Sequence, residues 1–303
     1  MQKPTRLERR IDETAHRLLR RAPGTGWQAA LVETIVFFAK QAWACVFGAL
    51  LLAVIVAARL WYPDEALLAR NDALTVAAIL IQIGMIVGGL ETRRELWVIV
   101  LFHVTGTAME IFKTDAGSWM YDDGGLLRIA GVPLFSGFMY AAVGSYMVRV
   151  YRLFDIRFRR YPPVWATAIL AAAIYANFFL HHFWWDARWV LFVGVLALWA
   201  PTILHARVWR ARIRVPLLVV FAGVASVIYL AENIGTWAGA WLYPNQLDGW
   251  QLVSLSKLSS WFLLMIISVV LVTLVYPPRG PRPVPARSRA AVRRGRRLDV
   301  AAD

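Results

Sequence analysis

Cysteine is almost absent from this chain of 303 residues, which contains only Cys45. One thiol cannot form an intrachain disulfide or a cysteine-based metal cluster, so neither can stabilise the fold. Acidic residues are also scarce, with 19 Asp and Glu against 33 Lys and Arg, and charged residues make up only 17% of the chain. Hydrophobic residues make up 59%, above the roughly 45–50% apolar content of an average soluble chain. The composition therefore predicts an integral membrane protein.

The excess of basic residues follows the apolar segments rather than forming one patch. The formal net charge of +14 can indicate nucleic-acid binding. Here, however, 26 Lys and Arg lie in the terminal segments and in alternate connections between apolar runs, whereas the remaining connections hold only 4. This positive-inside pattern predicts cytoplasmic termini and a multi-pass protein of the bacterial cytoplasmic (inner) membrane, with membrane lipid and not nucleic acid as its partner. The basic segments are 1–36, 91–95, 149–163, 206–215 and 277–303.

Eight apolar runs are long enough to cross about 30 Å of hydrocarbon as helices. They are 37–60, 73–90, 96–112, 132–151, 164–181, 189–205, 216–237 and 252–276. The sequence therefore predicts an all-α fold, a polytopic membrane helix bundle of eight transmembrane helices over 37–276. We interpret 1–36 as a basic amphipathic segment on the cytoplasmic leaflet and 277–303, rich in Pro and Arg, as a disordered tail. No cleavable signal peptide is predicted, because the first apolar run begins only near Phe37 and has the length of a full span.

Small residues and one proline predict how these helices pack. Small residues recur at every fourth position from Gly84 and from Gly137, which indicates faces where helices approach closely. Pro201 predicts a kink in the helix over 189–205.

The ends of the third and seventh predicted helices match each other at an offset of 122 residues. A carboxylate, a glycine, a tryptophan and a tyrosine recur with the same spacing at both ends. Glu110, Gly117, Trp119 and Tyr121 correspond to Glu232, Gly239, Trp241 and Tyr243. The same offset places Asp64 over Asp186 and helices one to four over helices five to eight. We interpret this as a possible 4+4 parallel repeat about an axis along the membrane normal.

Most unusual polar side chains lie near the predicted non-cytoplasmic face. Charged groups inside a bilayer are costly and usually serve a function. We predict that Glu110 and Glu232 are catalytic carboxylates that converge on one polar pocket, with His181 or His182 as proton-transfer partner. The predicted binding residues are Lys113, Asp115, Trp119, Tyr121, Asp186, Asn233, Thr236, Trp241 and Lys257. Lys257 is expected about a turn and a half into the eighth helix.

The adjacent histidines His181 and His182 invite comparison with a metal site that Asp186 and Glu232 would complete. Consecutive residues of a helix point roughly 100° apart, so two adjacent histidines rarely bind one ion. The sequence contains neither a His-Glu-x-x-His motif nor spaced histidines of a multi-histidine site. We therefore predict no metal, and the sequence leaves any cofactor unknown.

Four runs of residues resemble a known family. They are Phe112–Trp119, Val132–Tyr146, Tyr175–His182 and Ala231–Thr236. In these runs the sequence resembles the bacterial YoaT-type integral membrane family, and the resemblance extends over most of residues 30–276. It implies a polytopic membrane protein without implying any particular activity. A shorter similarity, a helix-end Glu followed by a Gly-containing aromatic turn and a Gly-Val-Pro-Leu helix start, resembles membrane-embedded carotenoid cyclases and hydratases.

Two classes of function fit these residues. An intramembrane enzyme acting on a lipid or isoprenoid would use Glu110 or Glu232 as a general acid. A proton- or cation-coupled transporter of small molecules would use the same carboxylates as relay groups. Because the polar groups gather at one leaflet and not at the midplane, we favour the enzyme, with a structural or assembly role as the third alternative.

Overall fold

The computed structural model describes residues 5–20, 22, 24–63 and 65–281. Within these ranges the chain forms ten α-helices and five short strands, so the predicted mostly helical fold is confirmed. The helices are α1 (Arg6–Leu19), α2 (Gly26–Ala44), α3 (Val46–Trp61), α4 (Arg70–Val87), α5 (Arg93–Asp115), α6 (Phe135–Leu153), α7 (Val164–Leu180), α8 (Arg188–Trp199), α9 (Leu217–Trp237) and α10 (Ser256–Val275). The strands are β1 (Arg128–Ile129), β2 (Val132–Pro133), β3 (Arg157–Arg159), β4 (Ile203–Arg207) and β5 (Arg212–Pro216). Asp64 and residues 282–303 of the predicted tail lie outside the described residues.

The helices run up and down, so the bundle has two distinct ends. α5 and α9 end on one side, which we call the glutamate end because Glu110 and Glu232 lie towards the ends of these helices. α6 and α8 end on the other side, where β3, β4 and β5 pair, and we call it the sheet end. We refer to α2–α6 as the first half and to α7–α10 as the second half.

α6 is the central helix and contacts α2, α3, α4, α5 and α10. A Cβ atom added at Gly137 would lie 2.6 Å from side-chain atoms of both His103 and Thr107, so α5 and α6 pack as closely there as the sequence predicted. Gly84 of α4 behaves differently, because an added Cβ would meet nothing within 4 Å. The predicted close packing at Gly84 is therefore wrong.

Among the residues that the structure describes, four helices are long and apolar enough to cross a membrane, namely α4, α5, α9 and α10. α2 and α3 meet at a bend of 66° and would make a fifth span if they act as one. α7 and α8 are apolar but shorter. Several long apolar helices are thus compatible with a membrane protein, and the count of eight spans and their orientation stay predictions.

The first predicted helix, over 37–60, differs from the structure at its start and in its middle. α2 begins at Gly26 and ends at Ala44, and α3 begins directly after Cys45. The Cys45 N–H still bonds to the carbonyl oxygen of Gln41, so the first helix completes its last turn before the chain changes direction. Neither glycine nor proline occurs at the bend, so residue type gives no sign of it.

Residues 200–216 form a hairpin and not the end of a helix. α8 ends at Trp199 and Pro201 lies in the following turn, so the predicted kink in a helix over 189–205 is wrong. β4 pairs antiparallel with β5 on one side and with β3 on the other. Apolar and basic residues alternate in β5, as in a strand with one face against a core, and this sheet is an exception to the all-α prediction.

Two arginines of the basic segment 149–163 are buried at the sheet end. Arg152 forms an ion pair of 2.8 Å with Glu8 of α1 and a second ion pair with Glu95 of α5. Arg149 donates a hydrogen bond of 2.8 Å to the carbonyl oxygen of Trp43. The predicted N-terminal amphipathic helix therefore exists as α1 and docks on the bundle through Glu8, while its binding to a leaflet stays a prediction.

Side chains of the first half hold backbone groups of the second half at both ends of the bundle. At the sheet end, the Glu33 carboxylate accepts the backbone N–H groups of residues 209–211 at 2.8–3.2 Å. At the glutamate end, the Arg70 guanidinium donates to the carbonyl oxygens of Ala238 and Gly239 at 2.6 and 2.9 Å. Charge-assisted hydrogen bonds of this kind are among the stronger ones in proteins, so the two halves are fixed to each other.

Candidate functional site

α5 and α9 end in turns of the same geometry. After each helix cap the chain passes through a glycine, Gly117 with φ of 67° and Gly239 with φ of 68°. Glycine adopts this left-handed conformation without the steric cost that other residues carry. The next residues, Ser118 and Ala240, return their N–H groups to helix carbonyl oxygens at 2.9 and 3.0 Å. The matched spacing in the sequence thus corresponds to matched local structure.

The two turns are joined through their backbones. Met120 and Leu242, which are themselves related by the offset of 122 residues, exchange two N–H···O hydrogen bonds of 2.9 Å in an antiparallel bridge. The bridge brings Trp119 edge-on to Tyr243, with ring centroids 6.2 Å apart. Aromatic residues from both turns therefore form one layer at the glutamate end.

Glu110 is buried and accepts three hydrogen bonds from uncharged donors. One carboxylate oxygen accepts from the Trp119 indole N–H and the Tyr121 hydroxyl, both at 2.7 Å. The other accepts from the Tyr140 hydroxyl of α6, also at 2.7 Å. Trp119 and Tyr121 reach Glu110 because the turn after α5 folds back over the helix end. All three donors are fixed by packing, so the carboxylate has one defined orientation.

Glu232 is bound in a related way. It is buried and accepts a short hydrogen bond from the hydroxyl of Tyr243, which stands in the same spacing as Tyr121 does to Glu110. Its second oxygen accepts from the indole N–H of Trp261 of α10 at 2.6 Å. Among the described residues, neither glutamate forms an ion pair with a Lys or Arg.

The tyrosines of the two turns act as donors because they remain protonated. Burial and the neighbouring Glu110 carboxylate raise the pKa of Tyr121 well above its usual value. Burial and Glu232 likewise raise the pKa of Tyr243. Both phenols therefore keep their protons at neutral pH and hold the carboxylates by donation.

Lys113 lies one turn after Glu110 and contacts His182, not the glutamate. Its ammonium nitrogen is 2.8 Å from His182 Nε2 and 4.2 Å from the centroid of the Phe178 ring. Burial and the Lys113 ammonium lower the pKa of His182, so the imidazole is neutral near pH 7 and can accept this hydrogen bond. Ser118 Oγ is also close to His182 Nε2, at 3.2 Å.

Lys257 is a second ammonium at this end and has aromatic neighbours. Its nitrogen lies 4.3 Å from the ring centroid of Tyr243 and 5.5 Å from that of Trp119. α10 begins at Ser256, so Lys257 lies in the first turn and not a turn and a half into the helix. The helix starts late because Val253, just before it, is held by its N–H to Asn233 Oδ1 at 2.9 Å.

A cavity of about 1110 Å³ lies between the two halves and extends from the glutamate end to the sheet end. Eight of the thirteen predicted site residues line its polar end. They are Glu110, Lys113, Trp119, His181, His182, Glu232, Trp241 and Lys257. Side chains of α3, α6 and α9 such as Ile55, Val143 and Val224 line its apolar middle, and Leu204 and Ile213 of the sheet line its far end. The structure therefore brings both glutamates to one cavity.

The other five predicted residues lie outside this cavity. Tyr121 lies against Glu110, and Asp115 is exposed at the end of α5. Asp186 accepts from the Asn177 amide at 3.1 Å and so fixes the loop after α7. Asn233 and Thr236 hold the loop before α10, Asn233 through Val253 and Thr236 by accepting from the Trp250 indole at 3.2 Å. The geometry of Asp115, Asp186, Asn233 and Thr236 is that of helix ends and loop anchors.

Two donors to the glutamates were missed by sequence reasoning. Tyr140 and Trp261 lie inside the apolar runs of α6 and α10, and they approach the carboxylates only after those helices pack. A tyrosine or tryptophan within a membrane-length apolar run could have indicated these donors, because its hydroxyl or indole N–H needs a polar partner when buried.

The described residues contain no group of three or more His, Cys, Asp or Glu side chains that could hold a metal ion. His181 and His182 follow the last residue of α7, and their ring centroids are 4.2 Å apart. The ring nitrogens have other neighbours, since His181 Nδ1 lies 3.0 Å from the Asn177 carbonyl oxygen and His182 Nε2 faces Lys113. The pair is thus arranged for hydrogen bonding.

Most of this chain is similar to known proteins. The family model described as "Protein of unknown function (DUF817)" matches residues 33–269. The chain is 42% identical over 257 residues to the uncharacterized protein YoaT of Bacillus subtilis (strain 168), which covers 85% of this chain and 97% of that protein. A crystal structure of a cross-linked MvINS trimer superposes with a TM-score of 0.45 at 11% identity, over 62% of this chain and 98% of that one. On the family match and the relative together, this chain belongs to the DUF817 family of YoaT-type proteins.

Proposed function

We propose that this protein is an intramembrane enzyme that acts on a lipid or isoprenoid at the non-cytoplasmic leaflet. One observation carries the proposal: Glu110 and Glu232 line the same end of a cavity whose remaining length is mostly apolar. A long apolar molecule in that cavity would have one end against two carboxylates and the rest among mostly apolar side chains. Such a pocket, mostly apolar with a few convergent polar groups, is typical of sites for small hydrophobic ligands.

In the proposed reaction the two glutamates transfer protons. Glu110 or Glu232 would donate a proton to the substrate, or remove one from it, as a general acid or base. The hydroxyl and indole donors around each carboxylate fix its position relative to the substrate. His181 lines the same cavity and is half-buried, so it would exchange the proton with solvent.

The paired turns support the proposal that the two carboxylates act as equivalents in a 4+4 repeat. Both carboxylates follow the same pattern, a helix-end glutamate that accepts from the tyrosine eleven positions later in the chain. In the proposed orientation, with both termini in the cytoplasm, the glutamate end faces the outer leaflet.

A proton- or cation-coupled transporter is the second candidate. The observation that favours it is the length of the cavity, which reaches from His182 at the glutamate end to Leu204 and Ile213 at the sheet end. A route that joins both ends is what transport requires.

The enzyme proposal is tested by comparing lipid extracts of cells that express the protein and its variants. Glu110→Gln and Glu232→Gln remove the transferable proton with little change of shape. The new amide NH₂ can face the hydroxyl of Tyr140 or Tyr243, because a hydroxyl also accepts. Mass spectrometry should find a lipid or isoprenoid species that changes with the wild-type protein and not with either variant.

Glu65→Gln is the matched control, since Glu65 is an exposed carboxylate at the same end of the bundle and does not line the cavity. It should give the wild-type lipid profile. Identical lipid profiles for the wild type, both site variants and cells without the protein would overturn the enzyme. Proton-coupled uptake by proteoliposomes, lost in the same two variants, would then support the transporter.

A further inference from the structure

Lys113 and Lys257 are two cations at the polar end of the cavity whose charges the proposed proton transfer does not use. Lys113 is buried, with only 3% of its surface exposed. Lys257 lies over the rings of Tyr243 and Trp119. No Asp or Glu among the residues that the structure describes forms an ion pair with either ammonium.

The absence of a counter-ion is unexpected, because two carboxylates line the same cavity. Ionisable residues at membrane depth usually pair with one another. Here Glu110 and Glu232 accept instead from phenol and indole groups. The carboxylates are therefore satisfied without the lysines, and the positive charge of the lysines remains available to a ligand.

Other groups at this end add to the positive potential. Arg188 lines the cavity next to the lysines, although it also pairs with Asp186 at 3.4 Å. Ser256 and Lys257 form the first turn of α10, whose N-terminus carries the positive end of the helix dipole. Together with two ammonium groups, this arrangement favours an anion.

The rest of the cavity favours a long apolar group attached to that anion. Its volume of about 1110 Å³ slightly exceeds the roughly 300–1,000 Å³ usual for small-molecule pockets. Beyond the glutamate end, the lining is mostly apolar along α3, α6 and α9 as far as the sheet. A free inorganic anion would leave the apolar part of the cavity empty.

We infer that the cavity binds an anionic amphiphile whose phosphate or carboxylate group lies between Lys113 and Lys257 and whose apolar chain extends towards the sheet end. The inference rests on the proposed function for the presence of a lipid or isoprenoid in the cavity, and it adds the charge of the headgroup. It does not depend on which reaction follows.

The test measures ligand binding to the purified full-length protein in a neutral detergent, by ligand-dependent thermal stabilisation over a concentration series. The probes are farnesyl phosphate and hexadecyl phosphate, their uncharged alcohols farnesol and hexadecanol, and inorganic phosphate alone. At least one phosphate amphiphile should bind about tenfold or more tightly than its alcohol, because charge-assisted hydrogen bonds contribute roughly that much. Inorganic phosphate should give no stabilisation at the same concentration.

Variants assign the preference to the two lysines. Lys257→Met keeps the length and apolar stem of the side chain, removes the charge and should abolish most of the preference for phosphate over alcohol. Lys257→Arg should retain the preference. Lys113→Met should act like Lys257→Met. Because Lys113 is buried, this variant is first compared with the wild type by size-exclusion chromatography. Arg59→Met is the matched control, since Arg59 is an exposed cation at the same end and does not line the cavity.

The outcomes separate this inference from the proposed function. Equal binding of phosphate and alcohol, unchanged by the lysine variants, would overturn the anion site and leave an apolar-ligand cavity intact. Tight binding of inorganic phosphate alone would replace the amphiphile by a small anion. If no amphiphile of either kind bound, the inference and the proposed lipid-acting function would both fall.

Discussion

At the scale of the residue, Glu110 shows how a carboxylate can be held deep in a bundle without a cation. Its three donors come from the turn after α5 and from α6, and each is a neutral group at 2.7 Å. A hydrogen bond to a charged group contributes about 1.5–3 kcal/mol, more than an average one. The donors should therefore matter for stability as well as for orientation.

Tyr140→Phe tests this directly, because Tyr140 is the one donor to its oxygen of Glu110 among the described residues. Loss of this bond should lower the free energy of unfolding by about 1.5–3 kcal/mol. The measurement is thermal unfolding of the purified protein in detergent. Tyr146→Phe is the control on the same helix, since Tyr146 donates a longer bond of 3.2 Å to the neutral Gln41. Equal effects of the two changes would contradict a special role for the Glu110 environment.

At the scale of the element, the contact between α5 and α6 depends on glycine. A Cβ atom at Gly106 would lie 2.2 Å from the Tyr140 ring, which is closer than real atoms approach. The glycine therefore permits the position of the tyrosine that binds Glu110. This couples the packing of two helices to the geometry of the candidate site.

Gly106→Ala should displace Tyr140 and destabilise the protein by about 1–3 kcal/mol, the usual range for overpacking a core. Gly84→Ala on α4 is the matched change, because its added methyl group meets nothing within 4 Å. It should be neutral or stabilise by up to about 1 kcal/mol through helix propensity. Thermal unfolding of the two variants gives the comparison. A Gly106→Ala protein as stable as the wild type would show that α5 and α6 can move apart without loss of stability.

Hydropathy located most elements and failed where the chain changes direction or period. The α2–α3 bend at Cys45 lies inside one continuous apolar run, and nothing in residue type marks it. β4 begins inside the apolar run for which hydropathy predicts a helix to residue 205. β5 begins inside the basic segment 206–215, for which the sequence predicts a connection between helices. In a strand of five residues, the alternation of apolar and polar side chains covers too few positions to be distinguished from a loop of mixed composition. β4 forms a strand because it pairs with β3, which is distant in sequence.

At the scale of the whole molecule, the positive-inside pattern predicts the orientation of the protein in the membrane. In a Cys45→Ala background, single cysteines replace Asp248 in the exposed loop before α10 and Arg212 at the start of β5. A membrane-impermeant maleimide should label Asp248→Cys in intact cells and Arg212→Cys only after permeabilisation, because the positive-inside pattern places the sheet end in the cytoplasm. The reverse labelling pattern would invert the molecule and move the proposed site to the cytoplasmic leaflet.

The candidate site could be predicted in part from the sequence because its most distinctive residues are local. Glu110 and Tyr121 lie in one helix end and the turn after it, so their spacing alone indicates that they are close together. Glu232 and Tyr243 have the same spacing. The loop anchors Asn233 and Thr236 carry the same residue types as ligand contacts. Only the path of the loop before α10 distinguishes the two roles.

The backbone bridge between Met120 and Leu242 limits how an occupant can enter or leave the cavity. It joins the halves at the glutamate end, and Glu33 joins them at the sheet end through the hairpin turn. Rocking of one half against the other would have to break the bonds of the backbone bridge or those to Glu33 during every cycle. Because the two halves are joined at both ends, a ligand would exchange more easily sideways, between helices that would face lipid. The bilayer, and not the water on either side, would then be the reservoir from which this protein takes its ligand.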